Sequence, residues 1–189
     1  HTPLVERDPQ WLAMNQHIEG DDRRLFAAAV SHMDAAIGRI VEALERAGQR
    51  AQTLIVFTSD NGAQVDHAGN AYPPPDPALR DFSSNAPLRG RKCDVFEGGY
   101  RVPAFVHWPG VVTAGKVETP MHAVDWLPTL IHLCGAELPA DVELDGQDVW
   151  PVMLGESPPQ PRTFYITWGG DRRAAVRHEG LRQPGVAVP

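Results

Sequence analysis

An α/β fold is predicted by three features: a long amphipathic helix, a short apolar strand run just after it, and a second such run further along. From Asp21 to about Gly48, the residues Phe26, Val30, Met33, Ile37, Ile40 and Leu44 recur at steps of four and three, which places them on one helical face. Asp21 is the predicted N-cap and Gly48 the predicted C-terminal stop. The run Thr53-Leu54-Ile55-Val56-Phe57-Thr58 is rich in β-formers and ends in Ser59-Asp60-Asn61-Gly62. A continuous apolar run of this length predicts a strand buried on both faces of a central sheet. The second strand is predicted over Arg101 to Trp108, closed by Pro109-Gly110. Pro103 places it at a sheet edge or marks its start.

Between the two strands, residues 62 to 100 read as a long irregular stretch containing Pro73-Pro74-Pro75. A loop of that length inside a domain points to function or disorder. A second helix is predicted from Asp125 to Gly135, with Leu127, Leu130, Ile131 and Cys134 on its apolar face. Residues 139 to 162 read as proline-rich loop, with Ser157-Pro158-Pro159-Gln160-Pro161 a boundary. Phe164 to Trp168 and Ala174 to Arg177 then read as short strands.

The bulk properties exclude several functions. The formal net charge of −7 and the lack of a basic stripe argue against a nucleic-acid partner. No run approaches the roughly 20 apolar residues of a membrane-spanning helix. Cys93 and Cys134 match no metal-ligand spacing, so a zinc site is not expected, and free thiols are favoured over a disulfide. The chain opens with His1-Thr2-Pro3-Leu4, without an initiator Met or a signal peptide, and so reads as a piece or processed product of a longer protein.

Two segments carry candidate chemistry. Asp60-Asn61-Gly62 places a carboxylate and an amide oxygen at the C-terminal edge of a sheet, where open α/β folds bind ligands. Both are hard oxygen donors suited to calcium or magnesium, although Asn-Gly is also a strong turn former. Pro87-Leu88-Arg89-Gly90-Arg91-Lys92 gathers three cations beside a glycine. Such a cluster suits an oxyanion, or is simply a solvated basic loop. Glu97-Gly98-Gly99 suggests a tight backbone path before the second strand. The histidines follow no metal-ligand spacing; His67, in the long loop, lies nearest the candidate metal segment in sequence.

Taken in order, these pieces carry a resemblance. His1-Thr2-Pro3-Leu4, Met33-Asp34, Gly38-Arg39-Ile40, Thr58-Ser59-Asp60-Asn61-Gly62, Pro87-Leu88-Arg89-Gly90-Arg91-Lys92 and Glu97-Gly98-Gly99-Tyr100-Arg101-Val102-Pro103 are followed by Trp108-Pro109-Gly110, Asp125-Trp126-Leu127-Pro128-Thr129 and Leu144-Asp145-Gly146. The series resembles the sulfatase family, most closely its arylsulfatase B-like (N-acetylgalactosamine-4-sulfatase-like) branch, over roughly residues 1 to 178.

The resemblance implies an alkaline phosphatase-like mixed-sheet α/β fold. Residues 1–156 would be the C-terminal part of the catalytic domain and residues 157–189 an incomplete C-terminal subdomain with an antiparallel sheet. It implies metal-dependent hydrolysis of sulfate esters, of aryl sulfates or sulfated carbohydrates, with calcium as the usual metal and magnesium as an alternative. By position, Asp60 and Asn61 match the family's second pair of metal ligands. Lys92 matches the sulfate-contacting lysine and His1 the sulfate-contacting histidine; Arg91 stands beside Lys92 as a further substrate-binding candidate. Residues 63 to 86 would line the substrate entrance. Family members are periplasmic, secreted or lysosomal.

The departures are as informative. The family's nucleophile is a formylglycine made from a Cys or Ser followed by x-Pro-x-Arg, and neither Cys93 nor Cys134 has that context. Asp21-Asp22 opens a helix and does not follow an N-terminal strand. Beyond Arg177 the family's Trp-Lys-Leu strand is replaced by Leu181-Arg182-Gln183-Pro184-Gly185. The chain is therefore expected to lack the nucleophile-bearing half, to leave a sheet edge open and to be inactive alone. Two other readings compete: a non-catalytic sulfate- or sulfated-glycan-binding piece, and a phosphoester hydrolase of the same superfamily. Asn61 speaks against the second, whose members place Asp-His-Gly after this strand.

Overall fold

A computed structural model of the chain describes residues 8–63, 83–157, 161–168 and 173–178. His1, His67, Pro73-Pro74-Pro75, most of the expected substrate-entrance loop, the middle of the boundary segment at Pro158–Gln160 and the tail at Leu181–Gly185 lie outside the described residues. Two compact units are formed, His1–Trp108 with Thr167–Arg173, and Pro109–Ile166 with Ala174–Pro189.

In the first unit, helix α1 (Pro9–Met14) precedes the long helix α2 (Asp21–Arg46). Helix α1 was not anticipated, although Asp8-Pro9 carries its signature. The Asp8 carboxylate accepts from the Gln10 amide at 2.9 Å, and proline is favoured at the first helical position. Trp11 is buried and stacks on His32 of α2 at 5.1 Å between ring centroids. The Asn15 amide nitrogen closes the pair by donating to the Trp11 carbonyl and to Ser31 Oγ.

Helix α2 forms where the periodicity places it, but its cap differs. Gly20, at φ +85°, is the N-cap, and Asp21 sits one position inside. There Asp21 and Asp22 favour the positive end of the helix dipole, and Asp21 bonds Arg24 at 2.9 Å. At the other end Gly48 adopts φ +66°, as a stop glycine should. The predicted apolar stripe is not buried. Val30, Met33 and Ile40 are 42%, 46% and 60% exposed, while Ala28 is fully enclosed.

After a 3-10 turn at Arg50–Gln52, strand β1 (Ile55–Thr58) pairs antiparallel with strand β2 (Ala104–His107), Phe57 opposite Phe105. Their rings stack at 5.0 Å. Pro103 falls just before β2, where its missing N–H costs no ladder bond. The Trp108 indole donates to the Ala51 carbonyl at 2.9 Å and fixes the end of β2 to the turn that leads into β1. The expectation of burial on both faces fails among the described residues: Val56 and Phe105 are exposed. A one-turn helix, α3 (Glu97–Tyr100), precedes β2.

In the second unit a 3-10 turn (Ala123–Asp125) runs into helix α4 (Trp126–Leu133), which ends at Cys134 and at Gly135 with φ +61°. The predicted apolar face forms but is not the buried face of the helix. Leu127, Leu130 and Cys134 are exposed, and the buried positions are Asp125 and Thr129. Long-range hydrogen bonds explain the reversal. Thr129 Oγ1 accepts from the Val149 amide at 3.0 Å. Asp125 accepts from the His122 and Gln147 amides and pairs with Arg162 at 2.8 Å. The loop predicted over 139 to 162 contains a short helix, α5 (Trp150–Met153), whose first amide is capped by Asp148 at 2.9 Å. Strands β3 (Thr163–Trp168) and β4 (Arg173–His178) pair as a separate two-stranded sheet, close to the two runs read from the sequence. Among the described residues no helix is long and apolar enough to cross a membrane, and both cysteines are free thiols.

Candidate functional site

Three backbone segments meet beyond the C-terminal end of β1. The first is Ser59–Ala63. The Ser59 amide donates to the Pro103 carbonyl at 3.3 Å, carrying the β1–β2 pairing one residue further. Ser59 Oγ then donates to the Asn61 carbonyl at 3.1 Å, and the Asn61 side-chain nitrogen donates to the Gly62 carbonyl at 3.0 Å. With Nδ2 so engaged, Asn61 has its Oδ1 as the remaining acceptor, beside the exposed Asp60 carboxylate. The hydrogen bonds bear out the turn-forming reading of this tripeptide, and the turn leaves Asp60 exposed.

The second segment is Asn85–Asp94 and the third is α3. The Gly62 amide donates to the Gly99 carbonyl at 2.8 Å, and the Gly98 amide to the Arg89 carbonyl at 2.7 Å. Glycine is required at these crossings. A Cβ on Gly62 would lie 1.8 Å from the Gly98 carbonyl oxygen, and one on Gly98 would lie 2.3 Å from the Gly90 carbonyl oxygen. The tight path expected for Glu97-Gly98-Gly99 is thus a backbone-on-backbone layer, formed as a single helical turn.

The same layer brings the cation loop to the metal-type segment. The Lys92 amide donates to the Ala63 carbonyl at 3.0 Å, two residues beyond Asn61. The Arg91 amide is capped by Asp94 Oδ2 at 3.1 Å. The three cations differ in setting: Arg89 is exposed, with its guanidinium 3.8 Å over the Phe96 ring, whereas Arg91 and Lys92 are half-buried. Asp60, Asn61, Arg91 and Lys92 are therefore held by one hydrogen-bonded layer; His1 is outside the described residues.

The donor set suits a hard divalent cation in kind but not in number. Asp60 and Asn61 offer two oxygen ligands, whereas calcium takes six to eight. Among the described residues no group of three or more His, Cys, Asp or Glu side chains could hold a metal. Sequence reasoning missed Asn85, which stitches the first two segments together through its side chain. The one local signal was an asparagine, a common turn former, two residues before a proline.

The family model described as Sulfatase matches residues 1–136. Steryl-sulfatase of Rattus norvegicus is 42% identical over 131 residues, covering 69% of this chain and 22% of the relative. Arylsulfatase A of Homo sapiens is 34% identical over 163 residues, covering 84% of this chain and 30% of the relative. Among solved structures, Ps i-CgsB aligns with a TM-score of 0.78 at 34% identity, over 98% of this chain and 40% of that one. The same protein in complex with k-i-k-neocarrahexaose aligns with a TM-score of 0.77 at 33% identity. The chain thus spans under a third of the length of these curated relatives and two fifths of that solved structure, with the α/β fold of the sulfatases. On the strength of the family match over residues 1–136, the chain belongs to the sulfatase family.

Proposed function

We propose that this chain supplies one half of a sulfate-ester hydrolase site: the metal-ligand pair Asp60–Asn61 and the sulfate-contacting Lys92, with Arg91 beside it. The observation that carries the reading is the Lys92–Ala63 backbone bond, which holds the cation loop against the segment bearing Asp60 and Asn61. A calcium ion, or magnesium in its place, would be held by Asp60 Oδ and Asn61 Oδ1 and would draw charge from the sulfate oxygens. Lys92 adds a point charge on the same oxygens, and Arg91 a planar donor array. His1, by its position in the family's pattern, joins them at the sulfate.

The nucleophile is not proposed to come from this chain. Neither Cys93 nor Cys134 stands in a formylglycine context. The remaining metal ligands and the formylglycine would come from the part of a sulfatase that this chain does not span. That assignment is supported by its coverage of only 22% to 30% of the relatives described. Without that part the chain is proposed to be inactive. Its substrate class is a sulfated carbohydrate or a small aryl sulfate. The solved complex of Ps i-CgsB with k-i-k-neocarrahexaose supports the former, and the names of the arylsulfatase relatives the latter. A periplasmic, secreted or lysosomal setting is proposed with the family.

The test is a paired assay of 4-methylumbelliferyl sulfate and 4-methylumbelliferyl phosphate, on this chain reconstituted with a formylglycine-bearing sulfatase N-terminal half in the presence of calcium. Preferential sulfate release is expected, falling roughly 100-fold or more in Lys92→Ala, as for loss of one donor to a developing anion. Faster cleavage of the phosphate, or full activity in Lys92→Ala, would overturn the assignment.

A further inference from the structure

The side chain of Asn85 makes three hydrogen bonds, all to backbone. Its Oδ1 accepts from the Ala63 amide at 2.8 Å. Its Nδ2 donates to the Ala63 carbonyl at 3.0 Å and to the Gly90 carbonyl at 3.1 Å. The partners fix the orientation of the amide. Turned over, it would set its oxygen against two carbonyl oxygens and its NH2 against an N–H. One planar group therefore pairs with both the donor and the acceptor of a residue 22 positions away, as a neighbouring strand would, and holds the cation loop at a third point.

The Ala63 carbonyl is shared. It accepts from Asn85 Nδ2 and from the Lys92 amide, each at 3.0 Å. Asn85 thus fixes Ala63, Ala63 fixes the start of Lys92, and Asn61 lies two residues before Ala63. Other side chains do not reproduce this. Aspartate lacks the donor and would face two carbonyl oxygens. Alanine leaves the Ala63 amide and the Gly90 carbonyl without their side-chain partner. Glutamine carries the same group one methylene too far.

From this geometry we infer that Asn85 is a positioning residue that sets the spacing between the Asp60–Asn61 pair and Lys92, acting through the Ala63 backbone without touching the ligand. The inference rests on the role proposed above for those three residues; the clip itself does not.

The experiment uses the whole chain, 15N-labelled, as wild type and as Asn85→Ala, Asn85→Asp and Asn85→Gln. Amide hydrogen exchange is read at Ala63 and Lys92, with Ala36 and Ile37 of α2 as controls. Binding of inorganic sulfate in the presence of calcium is titrated in wild-type and Lys92→Ala backgrounds. Exchange at Ala63 and Lys92 is expected to quicken by about tenfold or more in Asn85→Ala and Asn85→Asp, the loss of roughly one hydrogen bond, with the α2 amides unchanged. Asn85→Gln recovers part of the protection. Sulfate affinity is expected to fall in the wild-type background and to be indifferent to Asn85 once Lys92 is gone. Unchanged exchange at Ala63 and Lys92 overturns the clip. An equal fall in sulfate affinity with and without Lys92 overturns positioning and leaves Asn85 a general stabiliser. If no background binds sulfate, the site assignment fails with the positioning role, and the exchange rates alone decide whether Asn85 holds the two loops together.

Discussion

The amide of Lys92 donates to the carbonyl of Ala63 at 3.0 Å, although 29 residues separate them in the chain. That bond converts two distant sequence motifs into neighbours. It depends on a layer in which Gly62 crosses over Gly98 with no room for a side chain. The chemistry proposed for Asp60, Asn61 and Lys92 therefore depends on glycines that contribute no chemistry of their own.

Gly62→Ala is the first consequence. Its added Cβ would fall 1.8 Å from the Gly98 carbonyl oxygen, backbone that has nowhere to move without disturbing α3. The cost is expected to reach about 3 kcal/mol or more, the upper range for overpacking. Urea unfolding of wild type and variant measures it. A control, Gly38→Ala on the open face of α2, is expected to be neutral or stabilising by up to about 1 kcal/mol.

In the second unit, Asp125 is 1% exposed and joins three separate pieces of chain: the turn at His122, the loop at Gln147, and Arg162 just ahead of β3. Arg162 also lies over the Phe164 ring at 4.4 Å. Asp125→Ala would strand an almost buried guanidinium and is expected to cost about 3–5 kcal/mol. Asp125→Asn, which keeps acceptor oxygen at the site, should cost less. Denaturant midpoints of the two variants, compared at equal slope, provide the check.

The exposed stripe of α2 predicts behaviour in solution. Met33→Lys and Ile40→Lys should change stability by no more than about 0.5 kcal/mol, because both side chains are already in water. Ala28→Leu, at a fully enclosed position, should cost about 1–3 kcal/mol. The same stripe, with exposed Val56 and Phe105 on the sheet, should drive concentration-dependent self-association, and the two lysine variants should reduce it in sedimentation experiments.

The sequence shows what shares a face more readily than what covers it. The periodicity of Phe26 through Leu44 located α2, and the apolar runs located β1 and β2, because both signals are local. Burial is not local. Thr129 and Asp125 are enclosed because their partners stand 20 to 37 residues away, at Val149, Gln147 and Arg162, and no helical wheel contains those residues. Helix α1 is only six residues long and offered a cap but no periodicity. At the candidate site, Asp60, Asn61, Arg91 and Lys92 could be named because the order and spacing of their motifs resemble the sulfatase pattern. Asn85 could not, since its partners are backbone groups that every residue possesses.

The central claim, that Asp60 and Asn61 present a hard-cation site coupled to Lys92, is tested most directly by a calcium titration of the 15N-labelled chain followed residue by residue. The account predicts weak binding, as two protein ligands allow, with shifts concentrated at Asp60–Ala63 and passing to Lys92, and their loss in Asp60→Ala. Shifts that fall elsewhere, or that persist undiminished in Asp60→Ala, would contradict it.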